Sequence, residues 1–409
     1  MRSNSSPPIS SLNSKRLHVR LRPAAESLIR AGHPWIFADS IREQNRDAQT
    51  GELAVVFDRN DNFLAIGLYD ANSPIRIRVI HSGKPATIDA NWWRARLNES
   101  MERRAEVVDS ETNGLRWING ESDFFPALVL DQYADTLVLK LYSALWFQRL
   151  DEIVALVQEE LRPARLVLRL SRNIESAAQS VSLADATTLI GTPPDGPVIF
   201  LESGLKFEAD VLKGQKTGFF LDQRENRREI ARLSRGKDML NAFSFSGGFS
   251  VHAARAAARS VTDVDISAHA LESSRGNFAL NAQSVSATKH QCIQADVFDW
   301  IRTAPAESYD VVILDPPSLA RRETERQRAI VAYGNLATAG VRLVRKDGVL
   351  LCCSCSAHVT AEEFFNAVQS SATRAGRKFE IIQKKREPAD HHARFPEAEY
   401  LKAIYLKAS

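Results

Sequence analysis

Asn241-Ala-Phe-Ser-Phe-Ser-Gly-Gly-Phe249 decides the reading of this chain. An apolar strand over Met239 to Phe243 runs into it and a helical pattern leaves it, so glycines sit where a strand turns into a helix and the backbone can approach a ligand closely. That is the form of a cofactor loop. The stretch lacks the G-x-G-x-x-G spacing that a dinucleotide pyrophosphate needs, and the chain has no G-x-x-x-x-G-K-[ST] for a triphosphate, which disfavours hydride transfer and nucleotide hydrolysis.

Working outward, strands read at Val261 to Asp265, Gln291 to Ala295, Val311 to Leu314 and Val349 to Ser354, with helical stretches between them. Strand alternating with helix from about Asp238 onward requires a mostly parallel sheet covered on both faces, hence an α/β fold. Phe379 to Gln383 and Tyr400 to Leu406 are two strands with no helix between them, which predicts an antiparallel edge strand at the C-terminus.

Upstream, Leu17 to about Ser82 reads as a small β-rich unit, with Leu53-Ala-Val-Val-Phe57 and Phe63-Leu-Ala-Ile-Gly-Leu-Tyr69 as a hairpin. In Ile75-Arg-Ile-Arg-Val79 apolar residues alternate with Arg76 and Arg78, so the two guanidinium groups are expected to face outward, on a solvated face or a nucleic-acid surface. Beyond Gly83-Lys-Pro85 an α+β unit is expected: a helix from Trp92 to Val107, strands at Gly114 to Asn119, Ala127 to Leu130 and Thr136 to Leu141, a helix from Ala144 to Leu161 and a strand at Arg165 to Leu170. The turn-forming Gly191-Thr-Pro-Pro-Asp-Gly-Pro197 marks the entrance to the third unit. The expected domains are therefore a disordered tail over 1–16, a β-rich domain over 17–84, a middle α+β domain over 85–195 and the α/β domain over 196–409.

Bulk properties narrow the class. The chain has 409 residues, too many for one ordinary core, and its 44% hydrophobic and 25% charged residues fit a globular protein with no run long enough to cross a membrane. The net charge of +3 does not by itself identify a polyanionic partner. Four cysteines, three of them crowded at Cys352, Cys353 and Cys355, form no disulfide framework and suit a reducing compartment, so a cytoplasmic location is expected.

The chemistry collects at the strand ends. Asp265 ends the second strand, where a carboxylate can accept hydrogen bonds from both ribose hydroxyls; Asp296 ends the third, where it could take an adenine amino group while Val297 packs beside the ring. Taken singly, each acid is more often a helix cap or a solvated loop residue, and it is their joint placement on successive strand ends that favours a ligand contact. Asp315-Pro-Pro317 gives a stiff acceptor at the end of the fourth strand, against the plainer reading of a strand terminator. Cys355 emerges from the fifth, while Cys352 and Cys353 fill strand interior. A thiolate there could add to C6 of a cytosine and make C5 nucleophilic enough to accept a methyl group. No second cysteine or histidine pair completes a zinc set, and no metal is expected.

Together these residues resemble the RlmI-type family of ribosomal RNA cytosine-5 methyltransferases, over about Leu17 to Lys407. The most specific stretch is Lys216-Thr-Gly-Phe-Phe-Leu-Asp-Gln-Arg-Glu-Asn-Arg227, joined by the glycine loop, Asp315-Pro-Pro317, Ser354-Cys-Ser356 and Pro396-Glu-Ala-Glu-Tyr-Leu-Lys402. His33-Pro-Trp-Ile-Phe37 resembles the family's barrel motif, and Gly120-Glu-Ser-Asp123 with Leu128-Val-Leu-Asp131 its middle-domain signature.

The resemblance implies an N-terminal PUA-type RNA-binding β-barrel, a middle α+β domain and a Rossmann-like class I methyltransferase domain that uses S-adenosylmethionine. It makes Cys355 the nucleophile and Asp315 the base-orienting acid. The implied cofactor set runs through Gln223 and Arg227, the loop residues Asn241, Phe243, Ser244, Gly247 and Gly248, then Asp265 with Ile266 and Ser267, Asp296 with Val297, and Asp315 with Pro316. Two features depart from the family: Pro317 stands where related enzymes carry a second cysteine, and Ala357-His358 replaces the glycine expected after Ser354-Cys-Ser356.

The implied partner is large-subunit rRNA, with phosphate contacts from Arg76, Arg78, Lys15 and Arg16; no membrane partner is expected and a homodimer is left open. Two alternatives stand beside this reading. One is methylation of an exocyclic amine on RNA, although Ser318 follows the Asp-Pro-Pro run where such enzymes want an aromatic residue. The other is an RNA-binding assembly factor without catalysis.

Overall fold

A computed structural model describes residues 16–409, so the expected tail and its Lys15 lie outside the described residues, while Arg16 is exposed at the start of the first strand. The described residues form two compact units: those up to Ala105 with Arg116–Asp195 and Val211–Lys213, and Glu106–Leu115 with Gly196–Asp210 and Gly214–Ser409.

In the first unit, β1 (Leu17–Leu21), β2 (Trp35–Phe37), β3 (Ile41–Gln44), β4 (Leu53–Phe57), β5 (Phe63–Tyr69) and β6 (Ile75–Ser82) form one sheet in the order β2-β6-β5-β4-β1-β3. Period-two alternation turns Leu17, Val19 and Leu21 inward onto Ala54, Val56 and Ile77, and α1 (Pro23–Arg30), opened by a proline at its first position, adds Ala25 and Ile29 to that core. The expected hairpin is β4 with β5.

The outward guanidinium groups are a correction. Arg76 and Arg78 do alternate with the buried Ile77 and Val79, but both are half-buried. Arg76 folds back to donate to the carbonyls of Asp70 (3.0 Å) and Ala71 and lies over the Tyr69 ring. Arg78 pairs with Glu121, its side chain only 12% exposed, and Trp35 Nε1 donates to the same carboxylate at 2.9 Å. Alternation fixes which face a side chain leaves from. It does not reveal that a distant acid covers that face.

The same unit contains a second sheet: β7 (Gly114–Asn119), β8 (Leu128–Tyr133), β9 (Thr136–Leu141), β10 (Arg165–Leu170) and β11 (Thr187–Ile190), in the order β11-β10-β9-β8-β7. Its helices are α2 (Ala90–Glu102), capped by Asp89, α3 (Leu150–Leu161) and the short α4 (Glu175–Gln179). The helix expected from Ala144 is a 3₁₀ segment, Ala144–Arg149, that precedes α3, because Trp146 buries its ring and donates to the Pro126 carbonyl at 2.6 Å. Trp93, Phe125 and Trp146 pack edge and face at the centre.

In the second unit, the β12 (Val198–Glu202) and β13 (Leu205–Ala209) hairpin precedes α5 (Arg224–Leu233). The main sheet follows: β14 (Asp238–Ala242), β15 (Ser260–Asp265), β16 (Lys289–Gln294), β17 (Tyr309–Leu314), β18 (Val344–Ser354), β19 (Phe379–Lys385) and β20 (Lys402–Ala408), in the order β16-β15-β14-β17-β18-β20-β19. The connecting helices are α6 (Gly248–Arg255), α7 (Ala268–Leu280), α8 (Ala282–Val285), α9 (Val297–Thr303), α10 (Arg326–Leu343) and α11 (Ala361–Arg374).

The first five strands pair in parallel, and β20 runs antiparallel to both β18 and β19. The C-terminal strand is thus antiparallel as expected but not at the edge. Its apolar residues are buried on both faces, which suits an inner position, whereas β19 carries exposed Ile381 and Ile382 beside charged residues and takes the edge. Parallel strands deliver the segments after β14, β15, β16, β17 and β18 to one edge, where the glycine loop, Asp265, Asp296, Asp315 and Cys355 all begin.

In the first unit Arg104 and Asp123 are fully buried and paired at 2.6 Å, and Asp123 also accepts from the Asn119 amide at 2.6 Å. Removing one partner strands the other charge, so Asp123→Ala is expected to cost about 3–5 kcal/mol, read as a lower thermal midpoint. A variant that melts with the wild type would show that the pair supports nothing.

Candidate active site

Between β14 and α6 the chain makes an unusual turn. Phe243 (φ 62°), Phe245 (φ 47°) and Gly247 (φ 72°) are all left-handed, and the two phenylalanines carry a strain of order 1 kcal/mol each. Hydrogen bonds hold them there: the amides of Phe243 and Ser244 donate to the Val264 carbonyl (2.9 and 3.2 Å), the Phe245 amide to Asp265 Oδ2 (2.9 Å), and Asn277 Nδ2 to the Ser246 carbonyl (2.9 Å). Gly247 is required on steric grounds as well, since a Cβ would lie 2.2 Å from Ser274 Oγ and 3.1 Å from Asp263 Oδ2.

Asp263, inside β15, is the residue that the sequence reading missed. Its fully buried carboxylate accepts from Asn241 Nδ2 (3.0 Å) and Ser250 Oγ on one oxygen, and from Ser274 Oγ (2.5 Å) and His290 Nε2 (2.9 Å) on the other. It therefore ties together β14, α6, α7 and β16, the elements around the loop. His290 stacks on Phe278 with ring centroids 3.6 Å apart; burial works against its charge, but the hydrogen bond to Asp263, helped by Cys292, holds its pKa up at about 9.

The expected cofactor residues divide into two groups. Asp265 is half-buried at the strand end, with Oδ1 accepting from the Ser267 amide at 2.9 Å, and beside it Ile266 is 66% exposed, a large apolar side chain left open at the sheet edge. Asn241 Oδ1, Ser244 Oγ and Ser246 Oγ are buried polar atoms with no partner among the described residues, as a polar ligand at the loop would require. Ser267 caps α7 and Asp296 caps α9, each through its side chain. Val297 enters the core with Ala242 and Val264, so the open apolar neighbour of the acids is Ile266.

Arg227 forks onto Glu202 through Nε and Nη2 (both 2.6 Å) and donates Nη1 to the Phe220 carbonyl (2.9 Å), so its donors are spent inside the fold. Its Cδ instead backs Gly248, where a Cβ would meet it at 3.0 Å. Gln223 does reach the site: its amide donates to Asp315 Oδ2 at 2.9 Å, and its carbonyl accepts from Asn226, which is held in turn by Tyr405 OH.

Asp315, half-buried at the end of β17, has its carboxyl pushed up to about 7, chiefly by burial and then by the neighbouring Asp222 carboxylate. Asp222 stays an anion despite burial because Lys216 Nζ sits 2.5 Å away and Tyr400 OH donates at 2.8 Å. Cys352 and Cys353 are buried, whereas Cys355 is half-buried; burial lifts its thiol to about 11, Lys216 opposes the rise, and Asp315 and Asp222 add to it.

The turn around Cys355 is fixed from several sides. Ser356 Oγ accepts from the amides of Leu319 (3.0 Å) and Ala320 (3.2 Å) and lies 2.8 Å from Tyr333 OH, while the buried Lys402 donates to the Ser356 carbonyl at 2.8 Å. Neither Ala357 nor His358 has a positive φ, so this turn does not demand the glycine expected there.

Residues 179–406 match the model of a family described as S-adenosylmethionine-dependent methyltransferase. The chain belongs to that family. Residues 19–82 of this methyltransferase match a PUA-like domain. Over 399 residues it is 53% identical to a protein of Deinococcus radiodurans named ribosomal RNA large subunit methyltransferase, covering 96% of this chain and 97% of the other. It is 32% identical over 397 residues to ribosomal RNA large subunit methyltransferase I of Shewanella frigidimarina, covering 96% and 99%. A solved structure from Streptococcus mutans, described as a SAM-dependent methyltransferase by assignment, shares the fold, with a TM-score of 0.80 at 22% identity over 95% of this chain and 99% of that one. Among the described residues no helix is long and apolar enough to cross a membrane.

The Asp263–His290 pair sets a pH signature for the methyltransferase. A histidine raised from 6.5 to about 9 contributes stability that is fully present below the lower value and lost as pH rises through the upper one. The thermal midpoint is expected to fall across that interval, and His290→Gln to flatten the fall. Identical pH profiles for the two proteins would rule the pair out as its source.

Proposed function

We propose that this methyltransferase forms 5-methylcytosine in large-subunit rRNA, with Cys355 as the nucleophile. The observation that carries the reading is a half-buried thiol just beyond β18, at the same sheet edge where the paired parallel strand β17 delivers Asp315, and set apart from the buried Cys352 and Cys353. The rRNA substrate is carried by the names of the relatives that match along nearly the whole chain. Such a substrate implies a cytoplasmic enzyme, in keeping with four free cysteines.

Bound S-adenosylmethionine supplies an electrophilic methyl group. Asp265 would take the ribose hydroxyls and Ile266 would cover the adenine face, a reading supported by the half-buried carboxylate, the exposed apolar side chain and the unpartnered oxygens of Asn241 and Ser244 at the loop.

The Cys355 thiolate adds to cytosine C6, and the electron density moved into the ring lets C5 bond to the methyl carbon as that carbon's bond to the sulfonium sulfur breaks, releasing S-adenosylhomocysteine. Loss of the C5 proton to solvent water then restores the double bond as the C6–S bond breaks and the sulfur leaves as thiolate. Asp315, poised near pH 7, can donate a proton to cytosine N3 from the carboxyl oxygen that Gln223 does not occupy. Methyl transfer to an exocyclic amine has no use for Cys355.

RNA carrying 5-fluorocytosine cannot lose a C5 proton, so the wild type is expected to form an adduct that survives denaturation. Cys355→Ala should form none, and Asp315→Asn should slow methylation by about 10²-fold or more. Absence of the adduct from the wild type, or its persistence in Cys355→Ala, would defeat the reading.

A further inference from the structure

Arg76 and Arg78, two of the arginines expected to grip RNA, are occupied within the first unit, which leaves room for other cations to hold the strand next to the reacting base. The loop leaving Asp315 carries a suitable pair. Its residues Ser318 to Ala320 are fastened to the nucleophile's own turn: Leu319 and Ala320 donate their amides to Ser356 Oγ, and Ser318 Oγ lies 3.2 Å from the same atom. Directly beyond stand Arg321 and Arg322. With consecutive Cα atoms about 3.8 Å apart, both start within a few residue lengths of the Ser356 hydroxyl.

Both side chains are exposed, and among the described residues neither guanidinium has a hydrogen-bond or ion-pair partner. Of the neighbouring acids, Glu323 and Glu363 are paired with other cations, and Glu325 meets these two arginines through their backbone. Glu323 takes Arg326 (3.0 Å) and His358 (3.4 Å), Glu363 takes Arg326, and Glu325 accepts the backbone amide of Arg321 at 2.8 Å. Two forked cations, offset only by the nearby charge of Glu325 and paired with no acid among the described residues, thus stand at the rim of the active site, on a segment whose position is set by the catalytic turn.

We infer that Arg321 and Arg322 form a phosphate clamp that grips the RNA backbone flanking the target cytidine. The inference rests on the RNA substrate proposed above and adds the residues that position it. A guanidinium matches two phosphate oxygens in a fixed fork, and contacts of this kind set register without reading sequence. They also help meet the few kcal/mol needed to unstack a base and present it to the thiol.

The test uses the full chain and a protein-free large-subunit rRNA transcript, comparing wild type with the double variants Arg321→Ala/Arg322→Ala and Arg321→Lys/Arg322→Lys. For the alanine pair, KM for RNA is expected to rise about tenfold at physiological salt while kcat at saturating RNA and affinity for S-adenosylhomocysteine hold, which separates lost RNA grip from a damaged fold. In filter binding, the slope of log affinity against log salt should become shallower by about 1.4, about 0.7 for each single-strand phosphate released, and the lysine pair should keep most of the slope.

An alanine pair with wild-type KM and wild-type salt slope overturns the clamp. The binding arm requires no turnover, so the clamp stands or falls on the slopes even where the methylated product proves not to be 5-methylcytidine, an outcome that would sink the proposed reaction alone.

Discussion

The cofactor side of this molecule depends on one carboxylate. Asp263 offers two oxygens to Asn241, Ser250, Ser274 and His290, and through them joins two strands and two helices around the turn that follows β14. That turn holds two phenylalanines in left-handed conformations, a state that persists only where its surroundings over-determine it. A buried anion with four donors, one of them a cation, has its desolvation offset; with any donor missing, much of that cost would return. The same packing leaves no room for a side chain at Gly247. Loop, glycine and acid thus form one device, and the unpartnered buried atoms Asn241 Oδ1 and Ser244 Oγ are by-products of its geometry.

Across the sheet edge the problem is electrostatic. Burial and two carboxylates make the Cys355 thiol a poor acid, and burial together with Asp222 makes Asp315 an unusually weak one. Asp222 itself is locked as an anion by Lys216 and Tyr400, so of the two negative groups near the sulfur only Asp315 titrates near neutrality. On the proposed reaction, a cytosine that takes a hydrogen bond from protonated Asp315 removes one of the two repulsions opposing the thiolate. The nucleophile would then be armed by its substrate and remain a thiol in its absence.

Much of this was legible in the sequence because the signals are local. Strand–helix alternation, a glycine turn and acids at strand ends each occupy a few consecutive residues, and a parallel sheet brings them to one edge whatever the details of packing. What escaped notice depends on distant partners. Asp263 reads as one more polar residue in Val-Thr-Asp-Val-Asp until His290 is seen behind it. Arg78 reads as exposed until Glu121 covers it, and Arg227 as a ligand contact until Glu202 claims its fork. The inner position of β20 follows from two-sided burial of its apolar residues, which depends on what flanks it.

The account's central claim concerns which atom of the base receives the methyl group, and the fate of the C5 hydrogen reports on it directly. With rRNA transcript labelled with tritium at C5 of cytosine and S-adenosylmethionine carrying a ¹⁴C methyl, one tritium should pass into water for every methyl fixed in the RNA. Methyl incorporation with the tritium fully retained would place the transfer on another atom and contradict the account.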